Sequence, residues 1–244
     1  MLRTLSILLS ISILTACSNG SGKPNTQQQL KKDTAVKSQQ IVFGQPQVID
    51  SSPIVIYPLV LETQSYGGSY SKSAGQRGSY WNLIFYNTES GAQNLLTPDQ
   101  KILIYSFDFG SANSPANPSG ATQANGIDIL KDHIIYTAVV KDYNENKFLD
   151  DDDPTYLFVS RRDGTGFRQI SPDNYNIQSW QFVRGTTKMI LQAQKNDNDD
   201  KIFNEEDATV PLIVDIHASG QAVETFQKNF VDSLKGKLVH IWKN

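Results

Sequence analysis

The side chains best placed to do chemistry lie in two acidic loops. KDYNENKFLDDDDP runs from Lys141 to Pro154, and KNDNDDKIFNEEDA runs from Lys195 to Ala208, 54 residues further on. Counted from Asp142, the first loop places Asp142, Asn144, Asn146, Asp150 and Asp153 at positions 1, 3, 5, 9 and 12. The second places Asn196, Asn198, Asp200, Asn204 and Asp207 at the same steps. Calcium loops gather oxygen ligands at this spacing, with a main-chain carbonyl at position 7, here Phe148 and Ile202. The first loop holds six carboxylates, and so many in one turn without a counter-ion raise one another's pKa or open the loop. A hard divalent cation relieves that repulsion, and the asparagines add neutral oxygens that it accepts.

Three features depart from an EF-hand. Lys147 and Lys201 occupy position 6, where a sharp turn favours glycine, and Asp rather than the longer Glu closes position 12. No helix is expected on either side, so these would be calcium loops carried on strands rather than EF-hands. The competing reading is a pair of solvated hairpin connections whose Asp and Asn side chains satisfy their own turn backbone. A bound calcium would act structurally, ordering two long loops by mass action. The corresponding loop of the first repeat, Glu62 to Tyr80, has one acid and is expected to hold no metal.

Other chemistry is sparsely represented. The three histidines, His133, His217 and His240, have no zinc-ligand spacing and read as surface or edge-strand residues. There is no G-x-S-x-G, Walker or dinucleotide-binding glycine pattern. Gly67 to Gly78 and Gly110 to Gly120 read as surface loops, since neither opens a helix. Tyr66, Tyr70, Tyr80 and Trp81 suit protein or glycan contact, or belong in part to the strand that follows. The leading expectation is a non-catalytic binding or scaffold domain. The alternative is an envelope hydrolase acting on glycan or peptide through acidic residues.

The N-terminus supplies an address. Arg3, an apolar stretch from Leu5 to Leu14 and LTAC ending at Cys17 have the layout of a signal peptide. The same residues resemble the lipobox of bacterial lipoproteins, which implies cleavage before the lone cysteine, Cys17, and its lipidation. Residues 1–16 are then the leader, and 17–40 the lipidated cysteine with a Ser/Gly/Asn/Gln/Lys-rich tether too polar to fold. Removal of Arg3 leaves 21 basic against 25 acidic side chains, a net charge of −4 that fits nucleic acid poorly and disfavours anionic lipid except through the anchor. The resemblance, with Ser18 after the cysteine, implies the bacterial cell envelope, at the outer membrane facing the periplasm. The expected partners are the membrane, through the anchor, and an envelope protein or polymer.

The remaining part, 41–244, must position the loops, and it reads as all-β. Apolar runs at Ile54 to Leu61, Trp81 to Tyr86, Ile102 to Phe107, His133 to Val140, Tyr156 to Ser160, Met189 to Ala193 and Val210 to Ile216 predict strands. A short C-terminal helix is expected from Phe226 to Leu234, ended by Gly236. LIFYNTESGAQNLLTPD from Leu83 aligns without gaps to LFVSRRDGTGFRQISPD from Leu157, and LIVDIHASGQAVETF from Leu212 is a third copy. Each copy follows another strand, so both acidic loops fall at the same point of successive units.

One copy resembles the repeat of TolB-type β-propellers. In Asp163 to Leu191, Asp163–Gly164 match its first turn, Ile170–Ser171 its Leu-Thr pair, Trp180 its tryptophan and Arg184–Gly185 its second turn. The Ser-Pro-Asp-Gly that usually follows the tryptophan is absent. The resemblance implies a small or incomplete propeller of four-stranded units with about three recognisable repeats. A fourth blade is expected from Ile41 to Ile49, Ile102 to Phe107 and the terminal run Lys237 to Trp242, or else an open array or sheets that pair with a second chain.

Overall fold

The computed structural model describes residues 41–60, 79–110 and 127–243. The leader, Cys17, the tether, Tyr66, Tyr70 and most of both glycine-rich segments lie outside these. The described residues are mostly β, in two antiparallel sheets of nine and four strands with one C-terminal helix, and no closed propeller is found among them.

The nine-stranded sheet holds β1 (Val42–Phe43), β2 (Gln47–Val48), β3 (Ile54–Val60), β4 (Tyr80–Asn87), β5 (Gln93–Leu95), β6 (Leu103–Asp108), β7 (His133–Val139), β8 (Tyr156–Arg161) and β9 (Arg168–Gln169). A single residue pair, Tyr80 with Ile104, joins β4 to β6. The sheet therefore divides there into two meanders, β1/β2–β3–β4–β5 and β6–β7–β8–β9. The four-stranded sheet is a third: β10 (Tyr175–Phe182), β11 (Lys188–Lys195), β12 (Ala208–Asp215) and β13 (Val223–Glu224). All seven predicted strand runs are strands.

The repeat extends to register. Ile84 faces Leu95 in the first unit and Phe158 faces Gln169 at the equivalent place in the second. Likewise Leu96 N–H donates to Leu83 O at 2.9 Å and Ile170 N–H to Leu157 O at 2.8 Å. In the third unit the pairing slips by one residue, with Leu212 opposite Glu224.

Alternation along the second unit explains how the sheets stack. Ile134, Tyr136, Ala138, Tyr156 and Phe158 pack in one core with Ile56, Leu83 and Phe85 of the first unit. Ile135, Leu157 and Val159, the residues between, pack in the other with Leu191, Leu212 and Val214 of the third. Successive side chains of a strand point to opposite faces, so the middle sheet is covered on both. A strand buried on both faces has no polar side, which is why HIIYTAVV and YLFVS read as unbroken apolar runs. The seam to the first unit is tight: Gly164 has φ +81°, and a Cβ there would lie 2.5 Å from Phe85 Cδ2.

None of the three segments expected to supply a fourth blade does so. Residues 41–49 pair with β3 through β1 and β2, and Ile102–Phe107 forms the first strand of the second unit as β6. The terminal run is helical. The short helix α1 (Ile127–Leu130) precedes β7, and α2 (Lys228–Trp242) continues through Gly236 to Trp242. A helix-interior glycine costs only about 1 kcal/mol relative to alanine, and the apolar spacing Phe230, Leu234, Leu238, Trp242 carries across it. His240 accordingly lies on a helix rather than in an alternating strand.

Candidate metal centre

The first loop joins β7 to β8 and the second joins β11 to β12, so the same hairpin of successive units carries each. Their backbones agree closely. Positions 4 and 6 are left-handed in both: Glu145 and Lys147 at φ 59° and 73°, Asp199 and Lys201 at 58° and 63°. The lysine at position 6 therefore takes the conformation that glycine usually supplies, at a cost of about 1–2 kcal/mol.

The hydrogen bonds that offset this strain recur position by position. N–H of position 5 donates to Oδ1 of position 3, as Asn146 to Asn144 at 2.9 Å and Asp200 to Asn198 at 3.2 Å. Position 7 donates to position 5, as Phe148 to Asn146 at 2.7 Å and Ile202 to Asp200 at 2.8 Å. Position 9 donates to position 12, as Asp150 to Asp153 Oδ2 at 3.1 Å and Asn204 to Asp207 Oδ2 at 2.8 Å. Position 11 returns to position 9 in both, Asp152 to Asp150 Oδ1 at 3.1 Å and Glu206 to Asn204 Oδ1 at 2.7 Å. These are the backbone-satisfying Asx bonds that a hairpin reading asks for.

Position 1 breaks the symmetry. Asp142 accepts Asn146 N–H at 2.9 Å and Lys147 N–H at 2.7 Å, so both of its oxygens are engaged. Asn196 instead donates Nδ2 to the Tyr143 hydroxyl of the other loop at 3.2 Å, and its Oδ1 is buried with no protein partner. The residue is 9% exposed. An unsatisfied buried amide oxygen costs about 1–3 kcal/mol, and a hard cation on the loop accepts such an oxygen as a ligand.

Tyr143 links the loops. Its N–H donates to Asp153 Oδ1 at 2.8 Å, and its ring lies 5.5 Å from that of Phe203. Lys201 bonds Glu145 across the gap, but both side chains are largely exposed, and such pairs contribute little. Tyr105 of β6 donates to Asp151 Oδ1 at 2.5 Å, and burial together with this carboxylate raises its hydroxyl pKa. Burial likewise pushes Asp153 above the usual carboxylate range, against the lowering effect of its backbone donors. Residues 142–153 and 196–207 hold 12 of the chain's 25 acids, with Lys147 and Lys201 as their only basic residues. Packing two such segments together concentrates negative charge that a divalent ion neutralises.

Among the described residues no group of three or more His, Cys, Asp or Glu gathers as a metal cluster. Half of the ten side-chain donors in the two patterns are asparagines, and the carboxylates are turned to backbone N–H groups. Spacing singled out the candidate donors, but it did not reveal Tyr143, Phe203 or the partnering of Asn196. Nor did it bring together His133 and His217, whose rings lie 5.5 Å apart. Tyr80 and Trp81 belong to β4.

Two shallow grooves lie elsewhere. One, of about 660 Å³, runs between residues 94–100 and 164–167, with Asp99 as the only acid among the described residues that line it. The other, of about 560 Å³, lies over Trp180 and Leu191 and is lined by no acid. Neither brings together the two carboxylates that glycoside hydrolysis uses. Comparison with protein-family models, curated proteins and solved structures gives no match to this chain.

Proposed function

We propose that this chain is a lipid-anchored cell-envelope protein whose stacked four-stranded units form an incomplete, propeller-like scaffold for binding another envelope protein or polymer. Calcium fastens its second unit to its third. The leader ending at Cys17 supports the anchor, and the three meanders support the propeller reading, together with the TolB-type likeness of residues 163–191. The observation that carries the calcium reading is Asn196 Oδ1, buried and unpartnered at position 1 of a loop built like its twin. Calcium there takes up the orphaned oxygen, offsets the charge of both loops and holds Tyr143 between them.

Thermal unfolding of the full chain in calcium and in chelator tests this. Saturation at one hundred times Kd contributes about 2.7 kcal/mol, which raises Tm by about 5–10 °C in a domain of this size. Asn196→Asp, which adds a formal charge at position 1, enlarges the shift. Equal melting temperatures in calcium and chelator refute calcium fastening.

A further inference from the structure

The last helix presents a face that no described residue of the domain covers. α2 buries none of its residues, although Phe230, Leu234, Leu238, Ile241 and Trp242 recur at steps of three or four and share one side. Their exposure runs from 45% at Leu234 to 78% at Trp242. Phe226, its ring 5.4 Å from that of Phe230, extends the strip. A contiguous apolar strip of this kind marks an interaction surface, whereas single exposed leucines need no explanation.

Charge identifies what covers it. Residues 228–243 carry Lys228, Lys235, Lys237 and Lys243 against Asp232, a net +3, while the whole chain is −3; the rest of the chain is therefore −6. At helical spacing Lys235 and Lys237 fall on opposite margins of the apolar arc. Lysines so placed lay their methylenes along apolar surface and keep the ammonium in water. A leucine and aromatic face bordered by lysines is the composition of a helix lying in a membrane interface. Anionic headgroups neutralise the lysines there, and the acyl boundary covers the strip. A second copy of the chain suits the face less well, because it sets +3 against +3. α2 has 15 residues, and no described helix is long and apolar enough to cross a membrane.

We propose that α2 docks the domain on an anionic lipid surface, with Phe230, Leu234, Leu238 and Trp242 turned into the bilayer. This is independent of whether the loops take calcium. The test compares the chain from Ser18 onward, which lacks both the apolar leader and the acylated cysteine, with the same chain carrying Leu234→Ser and Leu238→Ser as well. Both substituted leucines are exposed, so the core is untouched, and both proteins keep the same N-terminal residues. Co-sedimentation is measured with vesicles of phosphatidylcholine alone and of phosphatidylcholine mixed with phosphatidylglycerol. The parent is expected to bind the anionic vesicles at least about tenfold more strongly than the double variant, with binding that weakens as salt rises. Its tryptophan emission shifts to the blue on those vesicles, and Trp242→Phe abolishes the shift. Equal binding by both proteins, or equal binding to neutral and anionic vesicles, overturns the proposal. So does a concentration-dependent dimer in sedimentation velocity that the leucine substitutions abolish and anionic vesicles do not displace.

Discussion

Replacing Gly164 by alanine tests whether the first and second units are locked by close packing. The site combines two penalties that can be separated. Its φ of +81° is left-handed, which costs an L-residue about 1–2 kcal/mol. In addition, the new Cβ meets Phe85 Cδ2, Cε2 and Cγ at 2.5, 2.6 and 2.9 Å. Phe85 is 1% exposed in the core, so its ring cannot swing into solvent, and overpacking of this kind adds about 1–3 kcal/mol. Gly91 and Gly166 serve as internal controls. They have φ of +72° and +67° with nothing within 4 Å of an added Cβ, and so carry the backbone cost alone. Urea unfolding of the three alanine variants is expected to rank Gly164→Ala lowest by about 1–3 kcal/mol, and Phe85→Leu in the same chain recovers part of the gap. If Gly164→Ala is no less stable than Gly91→Ala, the seam is not close-packed and the stacking argument fails.

Asp153→Ala removes the acceptor of both Tyr143 N–H and Asp150 N–H; it is expected to lower stability by about 2–4 kcal/mol and to abolish any calcium-dependent shift in Tm, whereas Lys201→Ala leaves the melting temperature unchanged. Burial lowers the His133 pKa below its ordinary 6.5, and His217 and Arg168 nearby act in the same direction against Asp132 and the Ile129 carbonyl. The unfolded chain therefore takes up this proton at higher pH than the folded one. Stability is full above about pH 6.5 and falls as pH drops through the interval down to the folded pKa, and His133→Gln flattens Tm across that interval.

The 74-residue offset from Leu83 to Leu157 made the strands, tight turns and even the register of the first two units legible, because recurrence reports a whole supersecondary unit. Strand β10 was harder to read. YNIQSWQF alternates, but its Asn, Gln and Ser lack strand propensity, and only Trp180 stood out. KLVHIW suits a strand or a helix equally, and a run of six residues cannot decide between them. In the candidate site spacing nominates the donors, and the recurrent turn backbone around them was not legible from it. Nor was the joining of the loops through Tyr143, Asn196 and Phe203, since it depends on contacts between side chains more than 50 residues apart in sequence.

The free borders of the sheets have a consequence for solubility. β1, β2, β9 and β13 have two residues each and β5 has three, so each offers a row of unpaired amides about 7–10 Å long. Six-residue β6 abuts β4 through the Tyr80–Ile104 pair, and eight-residue β10 has an occupied neighbourhood: Ile177 N–H donates to Thr155 O at 2.9 Å, and Thr155 N–H to Asn176 Oδ1 at 3.0 Å. A template for another chain to zip onto needs length as well as exposure. Clipped strands thus guard the described array against edge-to-edge aggregation, the hazard that a closed ring removes by having no edges.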